Sequence, residues 1–402
     1  MMEKLKACLR YLFYLLFTWL LALPDLAVPK RKDLWVVASH LGLVGNARFL
    51  AEHVLESKPA VRVFFFSYCA DTSQGDSEAY FKQKYGGRFK LIKRKNLTAL
   101  FTALRSRYIF ISHDLSRDVG FPLTTLRGRR TVINLWHGIA MKKHWLLKKY
   151  DLLNTHRLKA RQFSKVIASS PLDALAKAGS FQKTLDDIWI TGNPRSDILM
   201  GRALPGDLQK QEQRLREALK GRSLVLYAPT WRSYGSSFQP FPPGGLDRLA
   251  RLLNENSHVL GLRLHGKDEP VFRELYRDGA TLNLGPGRYP ETEVLLKNTA
   301  VLITDYSSIG LDFLLTGRPL VAYWYDLQDY YKKRGFLWDL VELYPGTRVY
   351  TFAELETALQ ELVGGNRDPG LEPQYRFVRG LFHRYSDGKC AERVVNRAVS
   401  IL

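Results

Sequence analysis

A chain of 402 residues with 46% hydrophobic and 25% charged residues can bury two ordinary cores, and this composition excludes an intrinsically disordered protein. Sixty Lys and Arg against 39 Asp and Glu leave a net charge of +21, which predicts attraction to nucleic acid, an anionic membrane or a phosphate-rich substrate. Cys8, Cys69 and Cys390 are far apart and match no metal-ligand or redox spacing, so a reduced, cytosolic location is the economical reading.

The chain opens with Lys4, Lys6 and Arg10, continues through an apolar and aromatic run from Tyr11 to Leu23 broken only by Thr18, and then turns basic again at Lys30-Arg31-Lys32. A bilayer-crossing helix wants about 20 apolar residues. A shorter run flanked by cations predicts a membrane-associating helix over residues 1–30, lying in the headgroup region of an anionic surface. A secretory signal and a helix packed on the first domain are the competing readings.

From residue 34, short β-branched or aromatic runs alternate with helix-length segments: 34–38, 61–66, 108–111, 132–136, 166–168 and 188–190. This alternation predicts a parallel, doubly wound α/β sheet in an N-terminal Rossmann-like domain over residues 31–205. A polar stretch at 201–221 interrupts the pattern. It restarts at 224–227, 259–264, 301–304 and 320–324, predicting a second Rossmann-like domain over 222–365. The segment 366–402, with helical character from Gln374, is expected to pack back on the N-terminal domain. Two such halves facing an interdomain cleft describe the GT-B architecture. Neither half carries GxGxxG or a P-loop, which argues against NAD and ATP hydrolysis, and no Asp-x-Asp is present to hold a metal on a nucleotide sugar. No cofactor is expected, and a donor diphosphate would have to be held by helix ends and cationic side chains.

Four polar clusters directly follow buried-looking runs: Trp136-His137-Gly138, Pro229-Thr230-Trp231-Arg232, Arg263-Leu264-His265 and Asp305-Tyr306-Ser307-Ser308. Ligands bind at the carboxyl ends of parallel strands, so this recurrence predicts one shared cleft. Ser307 and Ser308 stand where a strand gives way to a helix, offering hydroxyls and free amides to a phosphate; plain capping is the alternative. His137 and His265 each end a strand, one in each domain, and imidazole can act as a base or carry charge near neutral pH. The other histidines are assigned structural roles. Asp312, one turn beyond Ser308, could meet a donor hydroxyl or pair locally. The segments 82–107 and 142–165 are dense in Lys and Arg, interleaved with Phe81, Phe89, Leu97, Phe101, Trp145, Leu146, Leu147 and Leu153, which suits a face resting on anionic lipid. No nucleic-acid-binding module is recognisable, so nucleic acid is not the expected partner.

Asn134-Leu135-Trp136-His137-Gly138-Ile139-Ala140-Met141-Lys142-Lys143 resembles the Trp-His-Gly-Thr-Pro-x-Lys-Lys signature of the CDP-glycerol glycerophosphotransferases, the teichoic-acid primases and polymerases. Colinear matches follow at 191–197 (Thr-Gly-Asn-Pro-Arg-Ser-Asp), 227–232, 262–265, 302–308 and 334–336, so the resemblance covers residues 130–365 well and the first hundred weakly. Ile139-Ala140 departs from the usual Thr-Pro, and Leu264 with Gly266 departs from the commoner Pro-His-Pro surroundings.

The resemblance implies a monotopic enzyme at the cytoplasmic membrane face. It would move glycerol phosphate, or a related polyol phosphate, from CDP-glycerol to a lipid-linked glycan acceptor and release CMP. It maps the catalytic pair onto His137 and His265 and the hold on donor phosphate onto Ser307 and Ser308; Thr230, Arg232, Arg263, Asp305 and Asp312 are further donor-binding candidates. Gly138, Lys142, Lys143, Asn193 and Arg195 fall on the acceptor side or support it. Which histidine is the base stays open, as do glycerol or ribitol as donor alcohol and single addition or polymerisation. A GT-B glycosyltransferase using a UDP- or CMP-sugar and a non-catalytic membrane scaffold are the alternatives.

Overall fold

Residues 34–39 of the first strand are buried on both faces. Leu34, Val36 and Ala38 enter one apolar cluster while Trp35 and Val37 enter another, as befits a parallel strand covered on both sides. The computed structural model describes residues 2–68, 75–121, 123, 129–147, 155–232, 240–265, 280–365, 370 and 372–401; at 2–11, 13–15, 155 and 340 it describes the backbone alone. Cys69, residues 148–154 of the second basic segment and Gly266 lie outside the described residues.

Two compact units emerge. One comprises Met1–His137, Lys143–Asp197 and Lys389–Leu402, and the other Gly138–Lys142 and Ile198–Gly388. The first holds seven parallel strands: β1 (Arg31–Ser39), β2 (Arg62–Ser67), β3 (Phe89–Lys93), β4 (Ser106–Ile111), β5 (Thr131–Asn134), β6 (Lys165–Ala168) and β7 (Ile188–Ile190), in the order β3-β2-β1-β4-β5-β6-β7. The second holds β8 (Ser223–Ala228), β9 (His258–Leu262), β10 (Thr281–Asn283), β11 (Thr299–Thr304), β12 (Leu320–Tyr323) and β13 (Thr347–Val349), also parallel, in the order β10-β9-β8-β11-β12-β13. Both sheets reverse their winding direction beside their first strand. Each therefore has a switch point, between β1 and β4 and between β8 and β11, where a crevice opens at the strands' carboxyl ends.

Two boundaries differ from the sequence expectation. The polar stretch before residue 222 is a helix of the second unit, Gly206–Leu219. Leu208, Leu215 and Leu219 form its buried stripe, and the Gln211 side chain bonds the backbone of Glu291 in both directions. The C-terminal segment does not pack as a whole on the N-terminal unit. Helix Pro373–Phe382 belongs to the second unit, burying Tyr375, Val378 and Phe382, with the Tyr375 hydroxyl donating to Arg318 O. Only helix Cys390–Val399 returns to the first unit, where Val394, Val395 and Ala398 join the cluster that contains Leu50 and Val54. Among the apolar residues expected on a lipid-facing surface, Leu97 and Phe101 are exposed, whereas Phe81, Phe89 and Trp145 are core.

The N-terminal run forms a helix, Met2–Ala27, and among the described residues no helix is long and apolar enough to cross a membrane. Its end is locked into the first unit by buried Asp25, which pairs at 2.8 Å with both Lys30 and Arg130. Leu12, Leu16, Trp19, Leu20 and Leu23 remain 60–76% exposed at helical spacing, a single outward stripe.

At the return of the chain, Gly192 has φ +80°, and a Cβ there would lie 2.3 Å from Cys390 Sγ, so only glycine fits this approach. Buried Asp197 accepts the N–H groups of Cys390 and Ala391 at 2.8 and 3.0 Å, a carboxylate cap supplied from a distant loop. Asp197→Ala is expected to lower unfolding stability by about 2 kcal/mol, read by urea denaturation, with faster amide exchange in helix Cys390–Val399.

Candidate functional site

In the first unit, β5 ends at Asn134, and the backbone two residues later is bent into the left-handed region, with φ +49° at Trp136. A bulky residue there costs roughly 1–2 kcal/mol. Three side chains hold the bend. Asn46 donates to Leu135 O and Trp136 O at 3.1 Å each, Asn134 accepts Trp136 N–H at 2.8 Å, and Arg195 Nη1 donates to His137 O at 2.8 Å. Four such bonds, at about 1 kcal/mol net apiece, outweigh the strain. The Asn46 carbonyl also accepts Arg195 N–H, tying the 193–197 loop to the same hub.

The bend presents His137 as an exposed imidazole, 4.3 Å from the Trp136 ring and parallel to His113 at 6.1 Å. His113 stands at the switch point after β4, edge-on to His40, which follows β1. His40 Nδ1 lies 2.7 Å from Asp118 and His113 Nδ1 3.0 Å from Asp114, and Lys159 pairs with Asp114 at 3.2 Å. The protein bulk around His137, then the charges of His113, Arg195 and His40, push its pKa well below the ordinary histidine value. The depressed pKa keeps the ring neutral at physiological pH.

Asn193 is buried with both amide atoms unpartnered among the described residues, and Lys143 is exposed. Gly138 is buried and opens the five-residue segment that belongs to the second unit. At the end of that segment, Lys142 bridges to Phe336, reaches within 3.4 Å of Thr230 Oγ1 and sits 5.7 Å from the Tyr330 ring centre. Burial, offset in part by Asp305 and reinforced by Arg334 and Arg232, lowers its pKa to about 8.

In the second unit, the loops after β8, β11 and β12 are knit by two carboxylates. Buried Asp305 accepts the N–H groups of Thr230 and Tyr306 at 2.8 and 2.6 Å and pairs with Arg232 at 3.0 Å. Asp326 binds Arg232 bidentately at 2.7 and 2.9 Å and accepts the Tyr306 hydroxyl. Arg232 and Asp305 therefore organise the loops. Arg263, expected on the donor, directs its guanidinium to Leu284 O, Tyr289 O and Thr292 Oγ1, and Asp312 is only 2% exposed. Ser307 and Ser308 are half-buried, and Ser308 makes no side-chain cap bond, contrary to plain capping. The helix they precede, Ile309–Phe313, is only five residues long before a 3-10 turn, so its dipole is slight and the available donors are local hydroxyls and amides. His265 is exposed and stacks on Trp231 at 5.4 Å. Among the described residues, no group of three or more His, Cys, Asp or Glu could hold a metal ion.

Asn46, His40, His113 and Asp326 were not selected from the sequence. His113 and Asp326 follow strand ends just as His137 does, so the same rule could have found them. Asn46 sits in a helix far from Trp136 in sequence, and nothing local betrays it.

The family model for CDP-glycerol:poly(glycerophosphate) glycerophosphotransferase matches residues 21–400. The chain belongs to this family. It is 26% identical to the teichoic acid poly(ribitol-phosphate) polymerase of Bacillus spizizenii over 93% of its length and 57% of the relative's, and 26% identical to the teichoic acid ribitol-phosphate polymerase TarK of Staphylococcus aureus over 89% and 66%. It thus spans less than two thirds of these relatives. A teichoic acid glycerol-phosphate primase of Bacillus subtilis is 25% identical over 76% of this chain and 78% of its own. Among solved structures, a variant of the wall teichoic acid polymerase TagF soaked with CDPG superposes with a TM-score of 0.74 at 19% identity, covering 100% of this chain and 98% of that one. The fold is shared more distantly with MnaA of S. aureus in complex with UDP, at a TM-score of 0.56 and 13% identity over 92% and 98% of the two chains.

Asn46→Ala leaves two strained-turn carbonyls and one amide without their partner. It is expected to cost about 2 kcal/mol of stability and to shift the His137 ring signals in NMR spectra. In the unaltered protein, the His137 titration midpoint should fall below about 6.5, and a midpoint at or above that value would contradict the depressed pKa.

Proposed function

We propose that this protein transfers glycerol phosphate, or a related polyol phosphate, from a CDP-polyol to a hydroxyl of a lipid-linked glycan acceptor, releasing CMP, in cell-surface polymer synthesis. The observation that carries the reading is His137: an accessible, neutral imidazole held on a strained strand-end turn, within the span that the family model matches.

In the proposed reaction, the acceptor oxygen attacks the phosphorus bearing the polyol and the bond from that phosphorus to the CMP oxygen breaks. His137 takes the hydroxyl proton, and CMP departs with the electron pair. Lys142, Ser307 and Ser308 hold the diphosphate and absorb its growing charge, while His265 supplies a proton or positive charge to the leaving CMP. Arg232, Asp305 and Asp326 act by fixing Thr230 and the serine loop. His137 and Lys142 are five residues apart, so the chain itself tethers base to phosphate-binding cation within about 18 Å.

The outward stripe of Leu12, Leu16, Trp19, Leu20 and Leu23, with exposed Leu97 and Phe101 on the same unit, favours attachment to the cytoplasmic membrane surface, where a lipid-linked acceptor is presented.

Incubation with CDP-glycerol, CDP-ribitol and UDP-sugars, followed by nucleotide analysis, tests the reading. It predicts CMP from a CDP-polyol, and UDP release from a sugar donor would replace it with glycosyl transfer. His137→Ala and His265→Ala should each lower turnover by about 10²- to 10⁴-fold. The pH profile follows from the two shifts. A base with a depressed pKa is lost only as pH falls below about 6.5. A lysine with its pKa lowered to about 8 loses its charge as pH rises through that value. Activity should be flat between these limits, and Lys142→Arg should move the alkaline limb upward, because arginine stays charged.

A further inference from the structure

Where the N-terminal helix enters the first unit, a cavity of about 550 Å³ is bounded by the apolar segment 26–29 and by four cations, Lys30, Lys32, Arg107 and Arg129. Among the described residues, no carboxylate lines it. The nearest buried acid, Asp25, is already shared by Lys30 and Arg130, and Asp33 is occupied by Arg31 and Arg62. Lys30, Arg129 and Arg130 thus cluster near the single carboxylate of Asp25. Their crowding is visible at Lys30, whose pKa is lowered by burial first and also by Arg130 and Arg129, against the pull of Asp25.

The volume suits a small-molecule ligand, and the charge calls for an anion. The apolar side narrows the class. Segment 26–29 continues directly from the helix whose Leu12, Leu16, Trp19, Leu20 and Leu23 form the exposed stripe. A free phosphate has no use for such a surface, whereas a lipid has a chain to lay along it. Lys32 and Arg129 are exposed, so their charges are open to a headgroup arriving from solvent or from a membrane plane.

We propose that this cavity binds the phosphate-bearing headgroup of an anionic glycerophospholipid, with the acyl chains against the outward stripe of the N-terminal helix. The site rests on the membrane-surface reading above and adds to it a defined, headgroup-selective pocket, separate from the residues assigned to the transfer reaction.

The test is co-sedimentation of the full chain with phosphatidylcholine vesicles, with and without phosphatidylglycerol. The comparison includes Lys32→Gln/Arg107→Gln/Arg129→Gln, the milder Lys32→Gln/Arg129→Gln, and a control with Lys210→Gln/Arg214→Gln/Lys220→Gln in and after helix Gly206–Leu219. The unaltered protein should prefer phosphatidylglycerol. The triple pocket variant should lose that preference by about 10²-fold, the double variant should lose part of it, and the control should keep it. Both pocket variants should retain CMP release from a CDP-polyol with a soluble acceptor, which separates loss of lipid binding from misfolding. Equal loss in the control, or no loss in the pocket variants, would overturn the pocket while leaving vesicle binding intact. Failure of the unaltered protein to bind either vesicle would overturn the membrane reading as well. Displacement from phosphatidylglycerol vesicles by inorganic phosphate, but not by sulfate or chloride at matched ionic strength, would reassign the cavity to a soluble phosphate.

Discussion

A tryptophan held in the left-handed region is the constraint on which the proposed catalytic geometry depends. Strand β5 would otherwise run straight into Trp136 and His137, sending alternate side chains to opposite faces of the sheet. The bend breaks that alternation and turns His137 out at the carboxyl edge. It persists because Asn46, Asn134 and Arg195 pin three consecutive carbonyls and one amide. The strain is local, while the groups that offset it come from three separate segments. Folding of the whole first unit is therefore needed before the imidazole is in position.

The second unit solves a different problem, which is to concentrate donors without accumulating uncompensated charge. Arg232 is bracketed by Asp305 and Asp326, and these pairs raise its pKa against burial. Such a guanidinium is a poor phosphate ligand and a good brace. The cation proposed to meet the diphosphate is instead Lys142, whose nearness to neutrality follows from its burial. Ammonium, hydroxyls and backbone amides together give a mobile charge and fixed dipoles, a combination that stabilises charge developing on a leaving group.

Much of the architecture was legible in the sequence because fully buried parallel strands are apolar throughout, as in residues 34–39, 301–304 and 320–323. The short edge strands β3, β10 and β13 were not legible, since an edge strand keeps exposed polar positions such as Lys90 and Lys93. Helix Gly206–Leu219 read as a break because its surface is charged, although Leu208, Leu215 and Leu219 repeat with helical spacing. At the site, strand-end position picked out His137, His265, Thr230 and the two serines. It could not separate a ligand-facing group from a brace, because Arg232, Arg263 and Asp305 differ from Lys142 only in what lies opposite them in space. The role of Asn46 depends on hydrogen bonds spanning 89 and 90 residues, which no local pattern encodes.

The division between donor-holding and proton-accepting groups is tested most directly by calorimetric titration of a CDP-polyol into the unaltered protein and into the Ser307→Ala/Ser308→Ala, Lys142→Gln and His137→Ala variants. Donor affinity should fall by about tenfold or more in the serine and lysine variants, which lose charge-assisted hydrogen bonds to phosphate, and stay within about twofold in His137→Ala. Unchanged affinity without the serines and the lysine, or its collapse without the histidine, would contradict the assignment.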